Sequence, residues 1–167
     1  VELTVDMDGY VYVTAASLDG IVTIKYNQEG TELWSEVYSI GGESFCTPSD
    51  IDTDEAGNPI VVGECYLGGG VSEIQTIKYS PEGSIEWITQ FQSQSNNKAL
   101  SLQIESNGRI NVLGLSYGPG ESEYVLLKYD NSGNEIWTAV LDEAYTHMSI
   151  VGYNWDINAD MVVDDYG

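Results

Sequence analysis

The architecture turns on Lys25-Tyr26-Asn27-Gln28-Glu29-Gly30-Thr31-Glu32-Leu33-Trp34, a phrase the chain uses three times. It returns as Lys78-Tyr79-Ser80-Pro81-Glu82-Gly83-Ser84-Ile85-Glu86-Trp87, and again as Lys128-Tyr129-Asp130-Asn131-Ser132-Gly133-Asn134-Glu135-Ile136-Trp137. In each copy Gly follows Tyr by four positions and Trp follows Gly by four. Each copy is preceded by a run rich in β-branched residues, such as Ile21-Val22-Thr23-Ile24 and Ile74-Gln75-Thr76-Ile77. Such residues fit a pleated, half-buried surface. The residues before Gly are turn formers, and Gly takes the positive φ that a tight hairpin loop needs. The phrase therefore predicts a β-hairpin with Trp early on its return strand. A Trp in the same place in each unit packs most simply on the neighbouring unit, where it buries a large aromatic area.

Working outward, a second hairpin precedes each phrase. Its turns are centred on Asp8-Gly9, Gly57-Asn58 and Asn107-Gly108, all strong turn dipeptides. Each unit is thus four consecutive strands, A to D, recurring about every fifty residues, and this is the signature of a β-propeller blade. The expected fold is all-β, with blades of four antiparallel strands and about three and a half blades in the chain. Residues 1–167 form one propeller region: blade 1 at 1–40, blade 2 at 45–93, blade 3 at 98–142, and an incomplete blade 4 at 148–167. The last rests on Trp155-Asp156-Ile157-Asn158-Ala159-Asp160 and Met161 to Tyr166. The B-to-C links read as loose and variable in length, as do the D-to-A links. Loops of this kind carry most binding functions. An arc of fewer than four blades leaves strand edges and a blade face unpaired, so another copy, or the rest of a longer chain, is expected to complete the ring.

The 167 residues carry 27 acidic side chains against five Lys plus Arg, a net charge of −22. Nucleic-acid binding needs a basic face, so that partner class is excluded. No apolar run approaches the ~20 residues of a membrane helix. Val1-Glu2-Leu3-Thr4-Val5 already reads as a strand rather than a signal peptide, as in a processed or excised chain.

The pairing of a Gly-Asn-like turn and apolar strand (Gly57-Asn58-Pro59-Ile60-Val61-Val62-Gly63) with a Lys-Tyr-x-x-x-Gly-x-x-x-Trp hairpin resembles the SBBP-type bacterial and archaeal β-propeller repeat, a seven-bladed propeller family. The resemblance covers nearly the whole chain. It implies an exported or surface-attached module and carries no shared catalytic residues. The first unit departs from the pattern, with Asp8-Gly9-Tyr10 at its turn and no Gly at Thr14. The Gly-x-x-x-Trp hairpin also has a local likeness to the tryptophan-docking motif of quinoprotein propellers, whose cofactor pocket and cation ligands have no counterpart here.

No residue is assigned a catalytic, cofactor-binding or metal-binding role. Cys46 and Cys65 flank the A–B hairpin of the second unit. A turn near Ala56-Gly57 sets Cys46 opposite about residue 66, with Cys65 its immediate neighbour. A bridge is expected if the side chains share a face, and a pair of small buried hydrophobes is the alternative. His147 is the only histidine and has no triad or zinc partners in the sequence. Asp6-Met7-Asp8-Gly9 and Asp52-Thr53-Asp54-Glu55 hold hard oxygen ligands suited to Ca²⁺. The full calcium-loop signature is missing, however, and turn chemistry is the preferred role. The same holds for the acidic patch at Asp156, Asp160, Asp164 and Asp165. Lys25, Lys78 and Lys128 recur in register and are expected either to pair with Glu32, Glu86 or Glu135, or to lay their stems on apolar surface. Tyrosines such as Tyr10, Tyr12, Tyr26, Tyr79 and Tyr129 read mainly as amphipathic sheet residues.

The expected function is a non-catalytic extracellular propeller module, acting as a scaffold, adhesive or binding surface for a protein or glycan. The alternatives are a structural subunit joined to others through open blade edges, and a fragment of a quinoprotein-like enzyme.

Overall fold

The computed structural model describes residues 1–42, 44–94, 96–118 and 121–141. They form three four-stranded antiparallel sheets, each a simple meander. The first contains β1 (Glu2–Val5), β2 (Val11–Ser17), β3 (Gly20–Tyr26) and β4 (Glu32–Tyr38). The second contains β5 (Phe45–Thr53), β6 (Pro59–Gly68), β7 (Val71–Tyr79) and β8 (Ile85–Phe91). The third contains β9 (Asn96–Ile104), β10 (Ile110–Gly118), β11 (Glu121–Tyr129) and β12 (Glu135–Leu141). The described residues include no helix, and none of them forms a helix able to cross a membrane.

The thrice-used phrase folds as the third-to-fourth-strand hairpin of each sheet. In the second, the Gly83 N–H donates to the Ser80 carbonyl at 3.0 Å, and the Ser80 N–H donates to Ser84 at 2.7 Å. The same pair of bonds closes the turns at Asn27 and Asp130. Gly83 sits at φ 92°, a left-handed conformation that closes a three-residue hairpin with a bulge. The first-to-second-strand turns at Asp6, Asp54 and Glu105 repeat this geometry.

The other end of each sheet differs from expectation. Ser17 pairs with Gly20, Gly68 with Val71, and Gly118 with Glu121, so every link between the second and third strands spans two residues. The first two of the loose, variable B-to-C links are therefore corrected to tight hairpins. In the second sheet Gly69 and Gly70 both take positive φ, the backbone a two-residue turn demands. Composition misled here because Leu18-Asp19 lacks a turn signature of that kind.

The register also corrects the placement of Thr14. Ala15, not Thr14, occupies the position of Gly63 and Gly114: all three face the strand residue lying three before the recurring Lys, namely Val22, Gln75 and Val125. A Cβ on Gly63 would strike the Thr47 carbonyl oxygen and Ile21, and one on Gly114 would strike Ile74. Ala15 is tolerated because β1 pairs with β2 only as far as Thr14 and no sheet precedes the first among the described residues, so neither obstacle has a counterpart there.

The sheets stack in chain order, and the second is covered on both faces. Val61, Ile77 and Tyr79 point back into one core with Tyr12, Ile21 and Tyr38. Ile60, Val62 and Ile74 point forward into another with Val112, Val125 and Leu127. Alternate residues of one strand thus serve opposite cores, as strand geometry requires.

Candidate functional site

The most elaborated constellation is the contact by which one sheet grips the next. Lys25 and Trp34 are cross-strand partners, as are Lys78 with Trp87 and Lys128 with Trp137. Each pair projects from the forward face. The Trp34 indole Nε1–H donates to the Pro81 carbonyl oxygen at 2.9 Å, and the ring lies against Gly83 and 6.2 Å from Tyr79. One sheet further on, the Trp87 Nε1–H donates to the Asn131 carbonyl at 3.1 Å, and its ring lies against Gly133. Pro81 and Asn131 hold the same position in the phrase. A Cβ on Gly83 would come within 2.8 Å of the Trp34 ring, and one on Gly133 within 2.7 Å of Trp87. Contacts that close are not seen for real side chains, so the glycines admit the indole as well as closing the turn. The phrase therefore carries both halves of a joint. Lys and Trp face forward as a plug; Tyr, the turn carbonyl and Gly face back as a socket.

The lysines share the joint. The Lys25 ammonium donates to the same Pro81 carbonyl at 3.0 Å and sits 4.4 Å from the centre of the Tyr10 ring, a cation–π contact. The Lys78 ammonium donates to the Asn131 side-chain oxygen. It forms ion pairs with Asp54 at 2.8 Å, where both side chains are buried, and more loosely with the half-exposed Glu86 at 3.9 Å. Lys128 pairs with Glu105. Among the described residues neither Glu32 nor Glu135 pairs with a lysine. The expected return-strand pairing thus holds for Lys78 with Glu86, and the closer acidic partners of Lys78 and Lys128 lie on the first-to-second-strand turn. The missed signal was that Asp54 and Glu105 open equivalent turns.

These turn acids explain themselves. One Asp54 oxygen accepts the Ala56 and Asn58 N–H groups, each at 3.0 Å. Burial alone would raise the Asp54 carboxyl, but hydrogen bonds from Lys78 and Asn58 and the Lys78 charge outweigh it and hold the group below the usual carboxylate range. Glu105 is likewise pushed up by burial and pulled down further by Lys128, Asn111 and Asn107. Asp6 accepts the Asp8 and Tyr10 N–H groups and the Tyr12 hydroxyl. The Asp6 and Asp54 carboxylates named as possible calcium ligands are thus engaged in turn bonding. The single Tyr12 hydroxyl proton is shared between Asp6 and the Gly57 carbonyl, which lies 3.0 Å away, and this ties the first sheet to the second.

Cys46 and Cys65 face one another across β5 and β6 and are bridged. Near the turn the pairing follows the expected register, with Asp50 opposite Val62. A bulge between Pro48 and Asp50 then slips it by one residue, turning the near-neighbour placement into a direct pair. Beside the bridge, Phe45 pairs with Tyr66, and both rings are exposed. His147, the incomplete fourth blade and its acidic patch lie outside the described residues. The described residues contain no cluster of three or more His, Cys, Asp or Glu arranged to hold a metal. The chain matches no protein-family model and no curated protein sequence.

Proposed function

We propose that the three sheets are blades of an open β-propeller arc of the SBBP repeat type. In this reading the arc is a non-catalytic extracellular module: a scaffold that displays a binding surface for a protein or glycan. The observation that carries it is a division between the two ends of the sheets. At one end, the turns at Asp6, Asn27, Asp54, Ser80 and Asp130 bond their own backbone through the side chain of the opening residue. Lys25, Lys78, Trp34, Trp87, Gly83 and Gly133 are consumed by packing between sheets. At the opposite end, Leu18 is fully exposed, and Phe45, Tyr66 and Leu67 stand out from the sheet. Aromatic rings held on a stiff strand beside a disulfide present apolar area at low entropic cost, a property of binding anchors. The Gly70 N–H donates to the Tyr66 hydroxyl at 2.9 Å and further orients that ring. Export is supported by the Cys46–Cys65 bridge, since disulfides persist in oxidising compartments.

A glycan array probed with the labelled protein tests the binding surface. Saturable binding that weakens about tenfold in Tyr66→Ala, with the melting transition kept, supports it. Silence across the array removes the glycan version, and unchanged binding by the variant moves the site elsewhere. Thiol titration of protein taken from its native source tests export: two free thiols there would overturn it.

A further inference from the structure

The joint between sheets is made twice, and among the described residues its two halves recur unmated at opposite ends of the stack. On the forward face of the third sheet, Trp137 is 39% exposed and touches neither a turn glycine nor a turn carbonyl among the described residues. Its neighbours on that face follow suit: Leu141 is exposed, whereas Phe91, its counterpart on β8, packs on a core. On the back face of the first sheet, a Cβ on Gly30 would meet no atom within 4 Å, although Gly83 and Gly133 each lie beneath an indole. Tyr26 is half-buried where Tyr79 and Tyr129 are sealed.

The vacant socket is built like an occupied one. Gln28, at the position of Pro81 and Asn131, lies over Gly9 of its own sheet, as Asn131 lies over Gly108. The Gln28 amide donates to the Asp8 carbonyl at 2.6 Å, which leaves its oxygen to accept. In the second joint that same acceptor role falls to the Asn131 side-chain oxygen, which receives Lys78. The surrounding back face is apolar, with Leu3, Val5, Leu33 and Val37 all exposed.

We infer that the Trp137–Lys128 face of one copy docks on the Tyr26–Gln28–Gly30 socket of a second copy, head to tail, repeating the internal joint between chains. This rests on the blade reading above and names its partner. Two different patches meet, so the contact is heterologous and continues into a ring or an open chain of copies. Each copy carries a net charge of −22, so association strengthens as salt screens the repulsion.

Sedimentation velocity on the full chain, across protein and salt concentration, tests the docking. Wild type is expected to grow in mass with both. Trp137→Ala removes the plug. Gly30→Asn fills the socket, and asparagine tolerates the left-handed backbone there. Each variant alone is expected to associate at least about tenfold more weakly, the loss typical of a hot-spot aromatic. Their mixture restores a complex of one copy each, since Trp137→Ala keeps its socket and Gly30→Asn its plug. Melting curves confirm that both variants are folded, and Trp137→Phe replaces Trp137→Ala if the latter is not. A wild type that stays monomeric throughout, variants that associate like wild type, or a mixture of monomers would each overturn the docking. Glycan binding by a monomeric wild type would leave the scaffold reading standing.

Discussion

β3 ends in Ile21-Val22-Thr23-Ile24-Lys25-Tyr26, and β7 ends in Ile74-Gln75-Thr76-Ile77-Lys78-Tyr79, yet the two strands live in different surroundings. In β7 every one of these six residues is buried, while in β3 burial alternates residue by residue. Five of the six side chains are identical. The difference lies in the neighbours: among the described residues the second sheet has a sheet on each side, and the first has one on its forward side only. The one substitution fits this. Gln75 points back into the joint and accepts the Tyr38 hydroxyl at 3.0 Å, whereas Val22, at the same place in β3, faces back and is half-buried. Burial in a stacked array is thus a property of position in the stack, as expected when each repeat contacts only its neighbours.

The comparison can be broken or sharpened by matched substitutions. Trp87→Ala empties an occupied joint and is expected to cost about 4 kcal/mol. Trp137→Ala, at an exposed ring, is expected to cost about 1 kcal/mol or less. Equal losses in urea unfolding would mean that the third sheet is covered after all. Next in size is Ile77→Ala, a fully buried site, at about 3 kcal/mol. Ile24→Ala, its half-buried counterpart in β3, should lose about 1 kcal/mol. Thermal melts of the pair check this. Gly83→Ala combines backbone strain with collision against Trp34 and is expected to cost about 3 kcal/mol. Gly30→Ala carries the strain alone, at about 1 kcal/mol.

The smallest effect concerns pH. Burial raises the carboxyls of Asp50, Asp52, Glu64 and Glu73 above their ordinary values. Groups raised in the folded state contribute stability that is full below their unfolded pKa and is lost as pH climbs through the folded value. Asp54 and Glu105, held low by their lysines, behave oppositely: their contribution is present above the unfolded pKa and is lost as pH falls through the folded value. Melting temperature is therefore expected to rise on mild acidification from neutrality and to fall on stronger acidification. Relief of the −22 net charge reinforces the first limb. A midpoint that falls steadily from neutrality downward would contradict this balance.

Much of the fold was legible in the chain because its signals are local. The Tyr-to-Gly spacing states a hairpin, and the Gly-to-Trp spacing sets the indole on the return strand, whatever surrounds them. Lys25, Lys78 and Lys128 were legible as recurrent but not as paired, since Asp54 and Glu105 lie on another hairpin and become neighbours only through sheet register. Cys46 and Cys65 could be placed within one residue of each other. The last step needed the one-residue register shift between Pro48 and Asp50, beside a proline that cannot donate to the ladder.

The amino-acid order alone determined the four-strand repeat, the turn positions and the acidic character, because turn chemistry, strand propensity and charge are carried by residues in sequence. Tertiary structure alone decided that Trp34 and Trp87 enter the glycine turn of the next sheet, that the cysteines meet, and that among the described residues one plug and one socket are unmated. Those outcomes depend on which surfaces are brought face to face, and close packing across sheets has no counterpart in a linear pattern.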